Sequence, residues 1–231
     1  MSRRPATTVA ALYVFPDGPY SSLRGVEPWD EKRDARRYRG PHPVVAHPPC
    51  VRWSVLAYSV QARYPHCKIG DDGGCFEAAL RDVRRWGGVL EHPSRSLAFG
   101  KKHGFDLGRP RRGSWQETGD GGWITEVSQA AYGHQAEKLT WLLYYGIKPP
   151  PKLDWSKPQG THQISYGKKA DGKYWLPPLT KKEGKKTPPR FRELLLKLAR
   201  GCGGTSWTGK SSGRKLDLDG LLREARASLG L

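Results

Sequence analysis

Residues 43–50 read Pro-Val-Val-Ala-His-Pro-Pro-Cys. The first four, 43–46, predict a short buried strand, and the prolines after His47 close it with a rigid turn. A strand that leads into such a turn presents the next side chain at the top of a sheet. The segment therefore predicts a strand and, directly after it, an accessible position for Cys50.

Two more strands are predicted on the N-terminal side of this segment. Residues 7–15 are an apolar run that stops at a turn, 16–19, which contains two prolines and a glycine. A second, short strand is expected near residues 25–27. The N-terminal part of the chain is therefore expected to supply three strands.

The chain after Cys50 alternates a helix with strands. Residues 74–86 follow a helical period, and Asp71 or Asp72 can cap the start of the helix. Short strands are expected over 89–90 and 139–145. This alternation predicts an α/β fold with a largely parallel sheet.

In such a sheet, ligands bind at the carboxyl ends of the strands. Cys50 follows one predicted strand, and Glu91 comes at the end of another. We therefore expect the two side chains to share one crevice. A surface ion pair is the alternative interpretation of Glu91.

The balance of charge favours a polyanionic partner. The chain has 40 Lys and Arg against 22 Asp and Glu, which gives a formal net charge of +18. Contacts between basic side chains and phosphates release counterions and favour nucleic-acid binding. The alternative is a protein that is basic only for solubility.

Much of this charge lies in the C-terminal third of the chain. Residues 148–215 hold 17 Lys and Arg against four Asp and Glu, a net +13, with aromatic residues interleaved. Such a mixture suits a surface that holds phosphates and stacks bases. A solvated basic loop is the alternative.

The composition predicts three regions. Residues 1–147 form the catalytic core, and residues 148–200 form a basic, aromatic-rich DNA-contacting region that returns to the core. Residues 201–231 begin with a Gly- and Ser-rich linker and end in a helix.

The cysteine content and the hydropathy point to a reducing compartment. The N-terminal residues lack the pattern of a signal peptide, and the longest apolar run, 141–147, is far too short to span a membrane. A cytosolic setting without membrane contact is therefore expected, in which the four cysteines are reduced. Reduced cysteines serve as nucleophiles, as metal ligands or as buried apolar side chains.

Cys50 is the candidate nucleophile. The reactive form of cysteine is the thiolate, which nearby positive charge stabilises, and Arg52 lies two residues away. A buried structural thiol is the alternative.

Three motifs in order carry a family resemblance. Residues 45–54 resemble the Pro-Pro-Cys-Gln-x-Phe-Ser catalytic loop of DNA cytosine-C5 methyltransferases, with Val51 in place of the Gln. Residues 89–93 look like the family's Glu-Asn-Val motif, although His92 and Pro93 depart from it. Residues 129–135 are similar to its Asn-Ala-x-x-Tyr-Gly-Val-Pro-Gln segment. The overall likeness is to the short methyltransferase-like proteins of bacteriophages.

The resemblance implies a Rossmann-like, methyltransferase-type α/β sheet, mostly parallel, with a basic C-terminal appendage. It implies transfer of a methyl or other one-carbon group to cytosine C5. Cys50 would attack C6 of the base, and Glu91 would hold the base by its N3 and amino edge. Arg52 or Lys138 would anchor phosphate or base.

The resemblance also implies S-adenosylmethionine as cofactor. Glu27 would bind the ribose of this cofactor, and Trp29 would stack on its adenine. The other residues expected to contact the cofactor are Phe15, Asp17 and Gly18, in the loop after the first strand, and Pro48. Two prolines in this loop remove backbone donors. The pocket is therefore rebuilt, or another electrophile is used, or catalysis has been lost.

Double-stranded DNA is the implied partner, with the target base flipped out of the helix. The residues expected to contact it are Ser54, Gln135, Trp155, Lys168, Lys169, Lys181, Lys182, Lys185 and Lys186. The expected location is the cytoplasm, that of the host cell if a phage encodes the protein.

Three other functions stay open. The first is a non-catalytic DNA-binding protein of the same fold that protects phage DNA or inhibits a host nuclease. The second is an enzyme that acts on free dCMP. The third is a metal site. Its candidate ligands are His66, Cys67 and Cys75 with His92 or His103. Their spacing fits no common zinc pattern, so we expect no metal.

Overall fold

The computed structural model describes residues 7–146, 150–164 and 168–202. Seven strands form one sheet in the order β2-β1-β3-β4-β7-β6-β5. The strands are β1 (Val9–Leu12), β2 (Val26–Trp29), β3 (Val44–Ala46), β4 (Gly88–Pro93), β5 (Gln116–Glu117), β6 (Trp123–Ser128) and β7 (Leu139–Tyr145). The α/β class and the strands expected near 7–15, 25–27, 43–46 and 139–145 are confirmed.

The prediction of a mostly parallel sheet is wrong, because the sheet is mixed. The pairs β1–β2, β1–β3 and β3–β4 are parallel, whereas β4–β7, β6–β7 and β5–β6 are antiparallel. Only residues 129–138 join β6 to β7, which is too short for the crossover that parallel neighbours require. The apolar sequence of β7 does not reveal its direction.

Four α-helices accompany the sheet: α1 (Ala57–Arg63), α2 (Cys75–Trp86), α3 (Lys181–Gly184) and α4 (Pro189–Arg200). Short 3₁₀ segments lie at 35–37, 97–99 and 129–132. Within the described ranges, none of the helices is both long and apolar enough to cross a membrane.

The start of α2 confirms one of the two expected capping residues. The carboxylate of Asp72 accepts hydrogen bonds from the backbone N–H groups of Gly74, Cys75 and Phe76 at 2.8–3.1 Å. It also accepts one from Trp53 Nε1 at 2.8 Å. Asp72 therefore satisfies the free N–H groups of the first helical turn and ties the helix to the segment that follows Cys50.

A helix covers each face of the sheet. On one face, Leu12, Ala46 and Leu90 pack in the cluster that contains Phe76 and Leu80 of α2. On the other face, Ala11, Val45 and Val89 pack in the cluster that contains α4; its buried residues there are Phe191, Leu195, Leu196, Leu198 and Ala199. Since both faces are covered, the central strands are apolar throughout.

Several elements differ in extent from the sequence prediction. The strand expected at 89–90 continues to Pro93, so Glu91 lies inside β4 rather than after it. The helix expected from Phe191 to Leu198 spans Pro189–Arg200. The predicted C-terminal helix at 216–229, and the predicted linker from residue 203 onward, lie outside the described residues.

The topology brings several chain segments to one edge of the sheet. β1, β3 and β4 run parallel, and β6 runs in the same direction because both β4 and β6 pair antiparallel with β7. The carboxyl ends of these four strands therefore meet the first residues of β7. This edge is where a ligand site is expected in an α/β sheet.

We expect Leu195→Ala to lower the free energy of unfolding by about 2–5 kcal/mol, because the side chain is fully buried between α4 and the sheet. Urea denaturation followed by circular dichroism measures the change. The matched control is Glu193→Ala, an exposed position on the same helix, with an expected change within about 0.5 kcal/mol. Equal midpoints for the two variants would contradict the packing of α4.

Candidate active site

Glu91 is the centre of a hydrogen-bonded group at this edge of the sheet. Its Oε2 lies 3.1 Å from Nδ1 of His47, and its Oε1 accepts a hydrogen bond from Nε2 of Gln129 at 3.1 Å. His47 follows β3 and Gln129 follows β6, so three strand ends contribute. Only 13% of the Glu91 side chain is exposed.

Glu91 stays ionised in this setting. Burial alone raises the pKa of a carboxyl group, but the hydrogen bond from His47, the electrostatic effect of His47 and the charge of Lys138 outweigh it, and the pKa of Glu91 is lowered. An ionised carboxylate only accepts hydrogen bonds, so Nδ1 of His47 carries a proton. The site thus presents an ionised carboxylate at the carboxyl ends of the strands.

Tyr20 fixes the other side of the His47 ring. Its hydroxyl lies 2.9 Å from Nε2 of His47, and the two rings are in tilted contact at 5.4 Å. Burial, followed by the charge of Glu91, raises the pKa of Tyr20, so the hydroxyl keeps its proton while it contacts the ring nitrogen. The chain of Tyr20, His47 and Glu91 was not predicted from the sequence.

Gln129 and Thr140 complete the support of Glu91 from the neighbouring strands. Nε2 of Gln129 also donates to Oγ1 of Thr140 at 2.8 Å, and both side chains are buried. The amide orientation of Gln129 is settled by the carboxylate, which has no proton to donate. Gln129 therefore acts as a rigid donor that holds Oε1 of Glu91 in place.

Cys50 is half-buried, carries a free thiol and lies close enough to Glu91 for the carboxylate charge to act on it. We call the surroundings of these two side chains the crevice. Burial raises its pKa, the charge of Glu91 raises it further, and Lys138 and Lys185 act in the opposite direction. The resting protein therefore holds a protonated thiol. The sequence suggested an activated thiolate beside Arg52, and in the structure the cations that act on Cys50 are two lysines instead.

Lys138 links the crevice to the basic C-terminal region. It precedes β7, and its Nζ donates to the backbone carbonyl of Lys186 at 3.4 Å. This contact joins the segment that carries the exposed lysines at 181, 182, 185 and 186 to the residue before β7. Lys185 is close enough to affect the thiol of Cys50. Lys138, a catalytic candidate from the sequence, and Lys185, a candidate DNA contact, thus both act on Cys50.

The residues that flank Cys50 contribute to the packing and the backbone hydrogen bonds of its loop. Pro48 is buried, and the carbonyls of Arg52 and Ser54 accept hydrogen bonds from Gly70 and Ala57. The side chains of Arg52 and Ser54 are half-buried near the thiol loop. Neither joins the hydrogen-bonded group around Glu91 in the described part of the chain.

The residues assigned to S-adenosylmethionine do not fit that cofactor as they stand. Arg33 binds the carboxylate of Glu27 at 2.7 Å, and its guanidinium lies 3.9 Å from the ring centroid of Trp29. The groups expected to bind ribose and adenine are therefore both occupied by one side chain. Phe15, in the expected cofactor loop, is 69% exposed, and Asp17 is exposed beside it.

The tight turn of this loop supports the same conclusion. Gly18 donates its N–H to the carbonyl of Phe15 at 3.0 Å, and a Cβ at Gly18 would lie 2.9 Å from that carbonyl oxygen. The backbone N–H that a phosphate or carboxylate ligand would need is already used within the loop. No catalytic step is therefore derived through this cofactor.

The other residues expected to bind DNA fall into two groups. Gln135 and the lysines at 168, 169, 181 and 182 are exposed. Trp155 is half-buried, and its Nε1 donates to Thr125 Oγ1 at 3.0 Å, so this ring packs on the protein core. The packing leaves Trp155 poorly placed to stack on a base.

His92 is a buried titratable group beside the site. Its ring is fully buried and meets Phe76 edge-on at 5.1 Å. Burial lowers its pKa to about 4, although Glu91 and the Pro49 backbone act in the opposite direction. Because it follows Glu91 on β4, its side chain points to the opposite face of the sheet. His92 therefore packs as a neutral ring behind the crevice.

Metal binding receives no support from the arrangement of possible ligands. Across the ranges that the structure describes, no group of three or more His, Cys, Asp or Glu side chains is placed to hold a metal ion. The candidate set built on His66, Cys67 and Cys75 is not assembled there.

Comparisons with known proteins leave the family unassigned. Family models, curated proteins and solved structures all return no match to this chain. The likeness to cytosine-C5 methyltransferases therefore stays a prediction, which depends on three motifs and on the geometry of the crevice.

We expect His92 to make the protein less stable as the pH falls. In the folded state the pKa of His92 is about 4, below the ordinary value of 6.5. As the pH falls, the unfolded chain therefore binds this proton before the folded protein does. Between pH 7 and pH 5 the loss from this group is about 2 kcal/mol. Urea denaturation at the two pH values measures it.

The control is His92→Leu, which removes the titrating ring and keeps a buried apolar side chain. Its loss of stability over the same pH interval should be smaller than that of the wild type by about the same amount. An equal loss in the two proteins would show that His92 is not the group responsible.

Proposed function

We propose that this protein modifies cytosine bases in DNA, with Cys50 as the covalent nucleophile. The observation that carries the proposal is that one edge of the sheet brings together Cys50 after β3, Glu91 in β4 and Lys138 directly before β7. A thiol, an ionised carboxylate and a cation are the groups that addition to a pyrimidine requires. Their order along the chain also agrees with the family resemblance.

The addition step transfers one proton and shifts two electron pairs. The sulfur of Cys50 bonds to C6, the C5=C6 pair moves to C4=C5, and the C4=N3 pair takes a proton at N3. The thiol releases one proton and N3 gains one, and we assign to Glu91 the transfer of this proton between them. C5 then becomes an enamine carbon that can attack an electrophile.

The lysines support this step electrostatically. Lys138 and Lys185 oppose the effect of Glu91 on the thiol and so stabilise the thiolate that forms during attack. DNA phosphate would also bind at these lysines. The exposed lysines at 181, 182 and 186 extend the same basic surface.

The strand order supports a Rossmann-like, methyltransferase-type sheet as part of the proposal. In β2-β1-β3-β4 the order reverses between β1 and β3, which creates a switch point beside the end of β3. The candidate nucleophile lies just after β3.

Double-stranded DNA is the proposed partner, in the cytoplasm of the cell in which the DNA is modified. The net charge of +18 and the basic surface at the crevice support a phosphate-rich ligand. A flipped base would give Cys50 access to C6, which a stacked base does not.

The group transferred to C5 follows from the resemblance alone. A methyl or other one-carbon group stays the prediction, with S-adenosylmethionine as its implied donor. Arg33 would have to leave Glu27 and Trp29 before adenosine could bind there. The addition step itself needs no donor.

The alternative is a non-catalytic DNA-binding protein of this fold. Two observations favour it: the raised pKa of the Cys50 thiol, and the occupation of Glu27 by Arg33. Under this alternative, Cys50 has no chemical role. A reaction that depends on Cys50 but not on a donor of the one-carbon group separates the two functions.

We expect the protein to catalyse exchange of the C5 hydrogen of cytosine with solvent. In D₂O, the enamine takes deuterium at C5, then loses hydrogen and releases the thiol, so cytosine returns with deuterium at C5. Nucleoside mass spectrometry of duplex DNA measures the mass gain. Cys50→Ala should reduce exchange to the background rate.

The matched control is Cys67→Ala, because Cys67 is also a free, half-buried thiol and takes no part in the crevice. It should exchange as the wild type does. Equal exchange by the wild type and Cys50→Ala, with DNA binding intact, would refute the covalent step and favour the non-catalytic protein.

We expect two substitutions of His47 to separate its two hydrogen bonds. Asn keeps an N–H donor near the Nδ1 position and so preserves the contact with Glu91, whereas Gln places its amide nearer Nε2 and loses it. His47→Gln should lower C5 exchange by about 10- to 100-fold, and His47→Asn by much less.

The pH profile gives a second measure of the same contact. The hydrogen bond from His47 helps to lower the pKa of Glu91, so His47→Gln should lose exchange at a higher pH as the solution is acidified. The other titratable groups that act on the site are Tyr20, Cys50, His92, Lys138 and Lys185. Identical profiles for the Asn and Gln variants would contradict the role of Nδ1.

A further inference from the structure

Residues 168–175 form a hairpin that carries aromatic and basic side chains together; we call it the arm. Lys168 and Tyr174 are bridge partners, and Lys169 N–H donates to the carbonyl of Lys173 at 2.8 Å. Gly172, with φ of 80°, allows the tight turn, and Asp171 accepts from the N–H of Lys173 at 2.9 Å. The arm thus has a defined backbone.

The side chains of the arm form two pairs of lysine and aromatic ring. Nζ of Lys169 lies 5.2 Å from the ring centroid of Trp175, and Nζ of Lys168 lies 5.0 Å from that of Tyr174. Trp175 is 69% exposed and Tyr174 is 37% exposed. Each lysine can cover only one face of its ring, and so much exposure leaves ring surface open to solvent.

The arm is attached to the crevice through successive backbone contacts. Leu176 N–H donates to Oε1 of Gln163, and Leu179, which is buried, donates its N–H to the Gln163 carbonyl; both distances are 2.9 Å. Thr180 then caps α3 through a reciprocal pair of hydrogen bonds with Glu183. Lys185 and Lys186 come directly after this helix, and the Lys186 carbonyl accepts a hydrogen bond from Lys138.

We propose that the arm stacks on unpaired bases, so that double-stranded DNA with a single-stranded segment binds more tightly than an intact duplex. The inference rests on the proposed function only in its choice of DNA as partner. A ring stacks on a base only where the base face is free, which excludes the interior of a regular duplex. The paired lysines supply phosphate contacts beside each ring, as in proteins that bind single strands.

The test compares a fluorescently labelled single-stranded oligonucleotide with a hairpin duplex of the same length. Dissociation constants come from anisotropy at several salt concentrations. Trp175→Ala should weaken binding to the single strand by about 5- to 100-fold, with little effect on the duplex. Stacking releases few counterions, so the salt dependence should stay as in the wild type.

Two variants separate stacking from charge. Trp175→Phe keeps an aromatic face and should restore most of the affinity that Trp175→Ala loses. The double variant Lys168→Ala/Lys169→Ala should instead reduce the slope of log affinity against log salt by about 0.7 for each lost phosphate contact. Lys197→Ala, an exposed lysine on α4, is the control for general loss of charge.

Three results would overturn the inference: no preference of the wild type for the single strand, equal losses on both DNAs for Trp175→Ala, or no rescue by Trp175→Phe. The outcome is independent of C5 exchange. A protein that prefers single strands but shows no Cys50-dependent exchange would keep this inference and refute the proposed chemistry. The reverse result would refute the arm alone.

Discussion

An ionised carboxylate that lies almost out of water needs hydrogen-bond donors, and the arrangement around Glu91 follows from that need. His47 donates to one oxygen and Gln129 to the other. The two donors fix both oxygens of the carboxylate. Burial and the charge of Glu91 together raise the pKa of the Cys50 thiol, and the charge of Lys138 helps to lower that of Glu91.

Lys138 lies near these donors because the sheet is mixed. β3 and β6 deliver His47 and Gln129 at their carboxyl ends, whereas β7 runs in the opposite direction and begins with Lys138 just before it. In a fully parallel sheet, the start of β7 would lie at the far edge, away from the crevice. The direction of β7, which the sequence did not reveal, is therefore what places a cation beside Glu91 and Cys50.

The sequence predicted the elements whose periodicity is strong. α2 has a clear apolar face with Asp72 before it, and β3 is an apolar run closed by prolines. β6 was missed, because Thr125 and Glu126 interrupt its apolar pattern while binding partners that only the fold supplies. The contact between His47 and Glu91 spans 44 residues, and no local pattern encodes it. Cys50 was found by its motif, but its protonation state depends on neighbours from distant segments.

Glu27, the acidic residue assigned to the cofactor, has a different kind of partner from Glu91. Its partner is a charged guanidinium that also covers Trp29, so little negative field is left for a ligand. An exposed ion pair and a cation–aromatic contact are each worth about 1 kcal/mol or less, whereas micromolar binding supplies about 8 kcal/mol. Displacing Arg33 is therefore a small obstacle.

The larger obstacle to cofactor binding is the loop at 15–19, where prolines remove two N–H donors and Gly18 uses its own N–H within the turn. The shape of this loop, rather than the charge of Arg33, decides whether an adenosine cofactor can bind.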